Sequence, residues 1–158
     1  MMLIGLSIAF AVIVLDQLSK YWILEHVLET YRNIEITPFF NIVNAWNTGV
    51  SFSMFSDSGA IGVIVLSTIA ISVVVGLLWW LKKEQSRMLQ IALGLIIGGA
   101  LGNVIDRIRI GAVFDFLDFH LFGHHWPAFN LADSAICVGA IIILIDGLFF
   151  NKKGVDKK

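Results

Sequence analysis

Two aspartates stand where an apolar chain is least expected to carry them. Asp115 lies in Val113-Phe114-Asp115-Phe116, and Asp133 lies in Phe129-Asn130-Leu131-Ala132-Asp133-Ser134. Asp133 opens the last long apolar stretch, and Asp115 follows just beyond the end of the stretch before it. An ionisable group at membrane depth is costly, which marks it as a functional candidate. Two carboxylates held close together cannot both ionise easily, so a single shared proton makes one an acid and the other a base. A pair of this kind can activate water against a peptide bond. The two residues are 18 positions apart, so the fold must bring them to one place.

Composition says what kind of fold that is. The chain has 158 residues, 58% of them hydrophobic and 15% charged, with a mean hydropathy of +0.84. A soluble domain has about 45–50% apolar and about 25% charged residues, so the balance predicts an integral membrane protein of one domain. A net charge of −1 gives no basis for nucleic-acid binding. The single cysteine, Cys137, sits in the last apolar stretch. It excludes an intrachain disulfide and reads as a small packing residue.

A helix needs about 20 mostly apolar residues to span a bilayer. Four segments qualify, at about 3–24, 61–81, 88–108 and 131–150. The first lacks a basic leader and an A-x-A cleavage site, and reads as a retained helix. Lys82, Lys83, Arg87 and the tail lysines Lys152, Lys153, Lys157 and Lys158 fall on one side. Lys20, Arg32, Arg107 and Arg109 fall on the other. This bias predicts cytoplasmic termini. Segments 25–60 and 109–130 then face outward, and loop 82–87 and the tail 151–158 face the cytoplasm. The tail is expected to be disordered. In the first outward loop, Tyr31–Ile36 and Phe39–Trp46 are rich in strand formers, Pro38 separates them, and Asn47-Thr48-Gly49 is a turn signal. The expected class is an all-α integral membrane protein with four transmembrane helices. A small extracytoplasmic β-sheet is expected between helices 1 and 2, resting on the membrane surface.

Polar residues gather at the predicted outer ends of these spans: Asp16, Lys20, Asn47, Asn103, Asp106, Arg107, Asp115, Asn130 and Asp133. Asp16 and Lys20, four apart on a helix, read as a self-neutralised pair. Asp106 and Arg107 are adjacent and point apart, so Arg107 is free to hold an acid on another element, such as Asp16, or an anionic lipid group. Asn103 shares the face of Arg107, and Asn130 projects with Asp133. The asparagines read equally well as donors to the carboxylates or to a substrate's peptide backbone and as caps or loop ties. Gly94 reads as helix packing. Gly102, just before Asn103, reads equally as packing and as room for a substrate backbone. His120, His124 and His125 lack an H-E-x-x-H pattern and read as interface loop residues. No G-x-S-G or G-x-G-D signature is present. Intramembrane carboxylates also occur in small proton-coupled transporters. Those usually show repeated halves and broken helices, neither of which is evident here.

Five motifs, in chain order, resemble the lipoprotein signal peptidase (signal peptidase II) family. Asp16-Gln17-Leu18-Ser19-Lys20 is similar to its D-Q-x-[ST]-K, and Asn47-Thr48-Gly49 to its N-x-G. Gly98 to Arg107 is similar to G-G-A-x-G-N-x-x-D-R, Val113–Phe116 to V-x-D-F, and Phe129–Ser134 to F-N-x-A-D-S. Val50-Ser51-Phe52 departs from the two alanines and aromatic that many members carry. The resemblance implies a multi-pass aspartyl endopeptidase of the bacterial inner membrane that needs no metal or other cofactor. Its implied substrates are prolipoproteins already carrying a diacylglyceryl group, cut just before the lipidated cysteine, with the lipid tails lying among the helices. Asp115 and Asp133 are the implied catalytic pair. Asp16, Lys20, Asn47, Gly49, Gly102, Asn103, Asp106, Arg107 and Asn130 form the supporting or substrate-binding set around a site near the outer face. A monomer is expected.

Overall fold

The computed structural model describes residues 2–29, 33–49 and 59–149. Arg32, Val50-Ser51-Phe52 and the Lys-rich tail lie outside the described residues. Four helices, α1 (Leu3–Trp22), α2 (Gly59–Lys83), α3 (Arg87–Ile110) and α4 (Leu131–Phe149), are long and apolar enough to cross a membrane. A π-helical segment, Ile23–Val27, prolongs α1 past its expected end near residue 24.

Helix α3 packs against each of the other three helices. Its glycines permit this. A Cβ on Gly98 would lie 2.6 Å from the Ala9 carbonyl oxygen of α1, and one on Gly99 would collide with the Ala132 carbonyl of α4. Small residues let backbones touch where no water is available to drive association. The core between helices is built on Ala9, Val74, Leu81, Leu93 and Ile97. The opposite faces, such as Ile64, Ile69 and Trp79 of α2 and Leu144 of α4, are bare and apolar. Cys137 is exposed on α4 rather than packed between helices.

The sheet departs from the sequence expectation. β1 (Asn33–Thr37) and β2 (Phe40–Asn47) come from the loop after α1, as expected. β3 (Val113–Leu121) and β4 (His124–His125) come from the segment after α3, and all four pair antiparallel in the order β1-β2-β3-β4. The class is therefore not all-α, and the sheet is built from both outward segments, not only the one between helices 1 and 2. Val113-Phe114-Asp115-Phe116 alternates too briefly to announce a nine-residue strand. Phe122 (φ 50) and Gly123 (φ 80) make the type I′ turn that two-residue hairpins favour, so His120, His124 and His125 sit in a hairpin rather than a loop. Phe114 and Phe116 pack with Ile23 and Leu28, which fastens the sheet to the end of the bundle where α1 and α3 finish and α4 begins.

Candidate active site

The α4 start is a local construction. Asn130 precedes the helix and Asp133 is its third residue. The Asp133 N–H donates to Asn130 Oδ1 at 3.0 Å, and the Asn130 N–H donates to Asp133 Oδ2 at 3.1 Å. This reciprocal capping box satisfies two backbone donors and fixes both side chains. The amide nitrogen of Asn130 then faces β3 and donates to Asp115 Oδ1 at 2.7 Å. Asn130 is thus bonded to both aspartates, and it is wholly buried.

Each carboxylate takes a second asparagine. Asn103 Nδ2 of α3 donates to Asp133 Oδ1 at 2.8 Å. Asn47 Nδ2, at the end of β2, donates to Asp115 Oδ2 at 3.1 Å. Asp115 is only 3% exposed. Burial, with the Asp133 charge nearby, outweighs the asparagine donors and pushes its carboxyl up to about 6. It therefore holds a proton far more readily than a surface aspartate.

Behind this layer lies a second one. Lys20 Nζ sits 2.9 Å from Asp16 Oδ2 and 2.7 Å from Asp106 Oδ2. It also donates to Asn103 Oδ1 at 3.2 Å. The Asp16–Lys20 pair is present as expected, but it is part of a three-helix cluster, because the Ala132 N–H of α4 donates to Asp16 Oδ1 at 3.0 Å. Gly102 makes room for this cluster: a Cβ there would come within 2.7 Å of Asp16 Oδ2. Gly49 (φ 87) closes the turn after β2, where its N–H donates to Asn47 Oδ1 at 2.8 Å.

Arg107 does not hold Asp16, whose oxygens are taken by Lys20, Gln17 and Ala132. Its guanidinium lies beside Gly49, within electrostatic reach of Asp133, Asp115 and Asp106. Gln17, absent from the expected site set, joins the cluster by donating to Asp106 Oδ1 at 2.8 Å. Its signal was its place inside the Asp16–Lys20 motif. Asp118 stays outside this network, bonded to Asn41 Nδ2 at 2.9 Å and to His125 Nδ1 at 2.9 Å. Among the described residues, no three His, Cys, Asp or Glu side chains are grouped so as to hold a metal ion.

Known proteins resemble this chain in sequence and in fold. A family model described as Signal peptidase (SPase) II matches residues 8–149. A lipoprotein signal peptidase of Pseudoalteromonas atlantica is 47% identical over 154 residues, covering 96% of this chain and 93% of the relative. One from Beijerinckia indica is 42% identical over 149 residues, covering 93% and 89%. A solved structure, a bacterial membrane enzyme determined by the in meso method at 2.3 Å resolution, superposes with a TM-score of 0.78 at 32% identity, covering 98% of this chain and 93% of that one. With a family match running from the first helix to the end of the fourth, the chain belongs to the signal peptidase II family.

Proposed function

We propose that the chain is an aspartyl endopeptidase that removes signal peptides from diacylglyceryl-modified prolipoproteins, cutting just before the lipidated cysteine. The observation that carries this reading is Asn130, which binds Asp133 through its backbone and Asp115 through its side chain. One buried residue thereby ties two acids from different elements into one site. The singly protonated pair is the working form. One carboxylate takes a proton from water as the water attacks the scissile carbonyl. The protonated partner hydrogen-bonds the carbonyl oxygen, and a proton then passes to the leaving amine. The pair titrates as a unit, so the proton belongs to both residues. The named relatives are all lipoprotein signal peptidases, which favours proteolysis over proton-coupled transport.

In this reading the protein is a multi-pass monomer of the bacterial inner membrane with both termini in the cytoplasm. The site then lies near the outer face, where the sheet meets the helix ends, and the substrate's lipid tails stay among the helices. That arrangement sets the cut position by geometry. Purified protein incubated with a lipid-modified prolipoprotein should produce a mass loss equal to the signal peptide. No cleavage, or cleavage that survives Asp115→Asn or Asp133→Asn, refutes the proposal. Reporter fusions at Lys83 and Lys158 should read cytoplasmic and one at Gly123 external, and a cytoplasmic signal at Gly123 refutes the orientation.

A further inference from the structure

Three asparagines face the two aspartates, and in each the side-chain oxygen is held by a donor. Asn47 Oδ1 accepts from the Gly49 N–H, Asn130 Oδ1 from the Asp133 N–H, and Asn103 Oδ1 from Lys20 Nζ. A backbone N–H or an ammonium can only donate, so each of these bonds decides which end of the amide is oxygen. The nitrogen end is then turned toward a carboxylate: Asn47 and Asn130 toward Asp115, and Asn103 toward Asp133.

Two of these anchors are local, from residues two and three positions away. The anchor of Asn103 is not, since Lys20 is 83 residues distant on α1. Asn130 Nδ2 also reaches Asn103 Oδ1, at 3.1 Å. That same nitrogen serves Asp115 Oδ1 at 2.7 Å and the Phe114 carbonyl at 3.3 Å. Two hydrogens cannot satisfy three acceptors, and the shortest contact goes to Asp115. The second hydrogen is shared between Asn103 Oδ1 and the Phe114 carbonyl, so Asn103 Oδ1 has two donors; of these only Lys20 has a hydrogen for each of its acceptors, Asp16, Asp106 and Asn103.

We propose that Lys20 is a positioning residue for the aspartate pair: by holding the Asn103 oxygen, its ammonium turns the Asn103 amide nitrogen onto Asp133. The inference rests on the Asp115–Asp133 reading and adds a role for the cluster behind it. Asp16 and Asp106 hold Lys20 in place, so a charge cluster behind the pair decides how Asp133 is served. If the Asn103 amide turned over, two oxygens would face each other unless a proton lay between them. The pair would then keep its first proton to higher pH, and the rising limb of the rate profile would move up.

The charged groups around Lys20 and the pair are Asp16 on its own helix, Glu25 in the π-helical segment that follows it, Asp106, Arg107 and Arg109 on α3, Asp115 on β3 and Asp133 on α4. Lys20→Met alone would strand two buried acids. Lys20→Met combined with Asp106→Asn, or with Asp16→Asn, removes one positive and one negative charge and leaves their sum unchanged. Asp16 keeps the Ala132 N–H in the first variant, and Asp106 keeps Gln17 in the second.

The measurement is kcat/KM against pH on full-length protein, with thermal unfolding alongside. Both double variants should move the rising limb up by about 1 pH unit, and Asn103→Ala should do the same. Adding Asn103→Ala to either double variant should move it no further, because one residue acts through the other. An unmoved limb in Asn103→Ala, or in a folded double variant, overturns the proposal, as does a shift that adds to that of Asn103→Ala. A purely structural Lys20 would lower thermal stability and leave the limb in place. Asp133→Asn, measured in parallel, tests the pair separately: activity there would fault the pair, whatever the Lys20 variants do.

Discussion

Strand β3 carries two aspartates three residues apart, each bonded to an asparagine of β2 and each nearly buried, Asp115 at 3% and Asp118 at 6% exposure. Residue type, strand and neighbours are alike, yet the two acids lie in different worlds. Odd spacing on a strand sends them to opposite faces. On one face Asp115 meets Asn130, the buried cap of α4. On the other Asp118 meets His125, whose side chain is 55% exposed. Burial lifts the Asp115 carboxyl to about 6. Burial also pulls Asp118 up, but hydrogen bonds from His125 and Asn41 together outweigh it and leave that carboxyl below its ordinary value. Their asparagine partners, Asn41 and Asn47, are six apart on β2 and would share a face of a regular strand. An irregularity between Ile42 and Ala45, where three steps on β2 oppose two on β3, puts them on opposite sides. A bulge of this kind re-aims every side chain beyond it.

The contrast can be broken most severely by exchanging the acids for amides. Asp115→Asn and Asp133→Asn should each lower the cleavage rate by about 10³-fold or more, since each removes half of the acid-base pair. Asp118→Asn should stay within about threefold, and a reversed outcome would move the site to the other face of the sheet.

The next largest effect is on pH dependence. Burial lifts the Asp115 carboxyl to about 6, so the pair should give up its shared proton, and the falling limb of the rate profile should centre, near pH 6. Asp118 is ionised well below that range, and Asp118→Asn should leave both limbs where they are. A falling limb that moves with Asp118 would erase the distinction between the acids.

The two asparagines of β2 sharpen the comparison further. Asn47→Ala removes a donor from Asp115, so it should cut activity by about tenfold and carry the falling limb to higher pH. Asn41→Ala should change neither rate nor limb.

The smallest effects concern stability, and they have opposite signs. Asp115 titrates higher in the folded state, so its contribution is present below its ordinary value of 3.8 and is lost as pH rises through about 6. Asp118 titrates lower, so its contribution is present above 3.8 and is lost as pH falls below it. Thermal unfolding against pH should lose the first slope in Asp115→Asn and the second in Asp118→Asn. The same slope lost in both would mean that their environments are alike.

What the chain determines locally was legible. The four spans follow from runs of apolar residues, because a bilayer demands about 20 of them in a row. The Asp16–Lys20 pair follows from helical spacing, and the joint projection of Asn130 and Asp133 from their separation by three residues. Only tertiary structure decided that β3 joins β1 and β2, since strand pairing is a long-range choice that a short alternating run does not announce. Asp118 could be set against Asp115 from the sequence only as a near neighbour. That the two face apart, and that Asn41 and Asn47 follow them, depends on β3 being a strand and on one extra residue in β2. Gly102 reads in the sequence equally as packing and as room for a substrate backbone, and only the fold puts the Asp16 carboxylate beside it. Lys20 looked complete with Asp16 alone; packing α1 against α3 brought Asp106 and Asn103 within its reach. Periodicity and spacing within one element are written in the chain. Which faces meet depends on packing between elements, where a single bulge or a missing Cβ changes the partner.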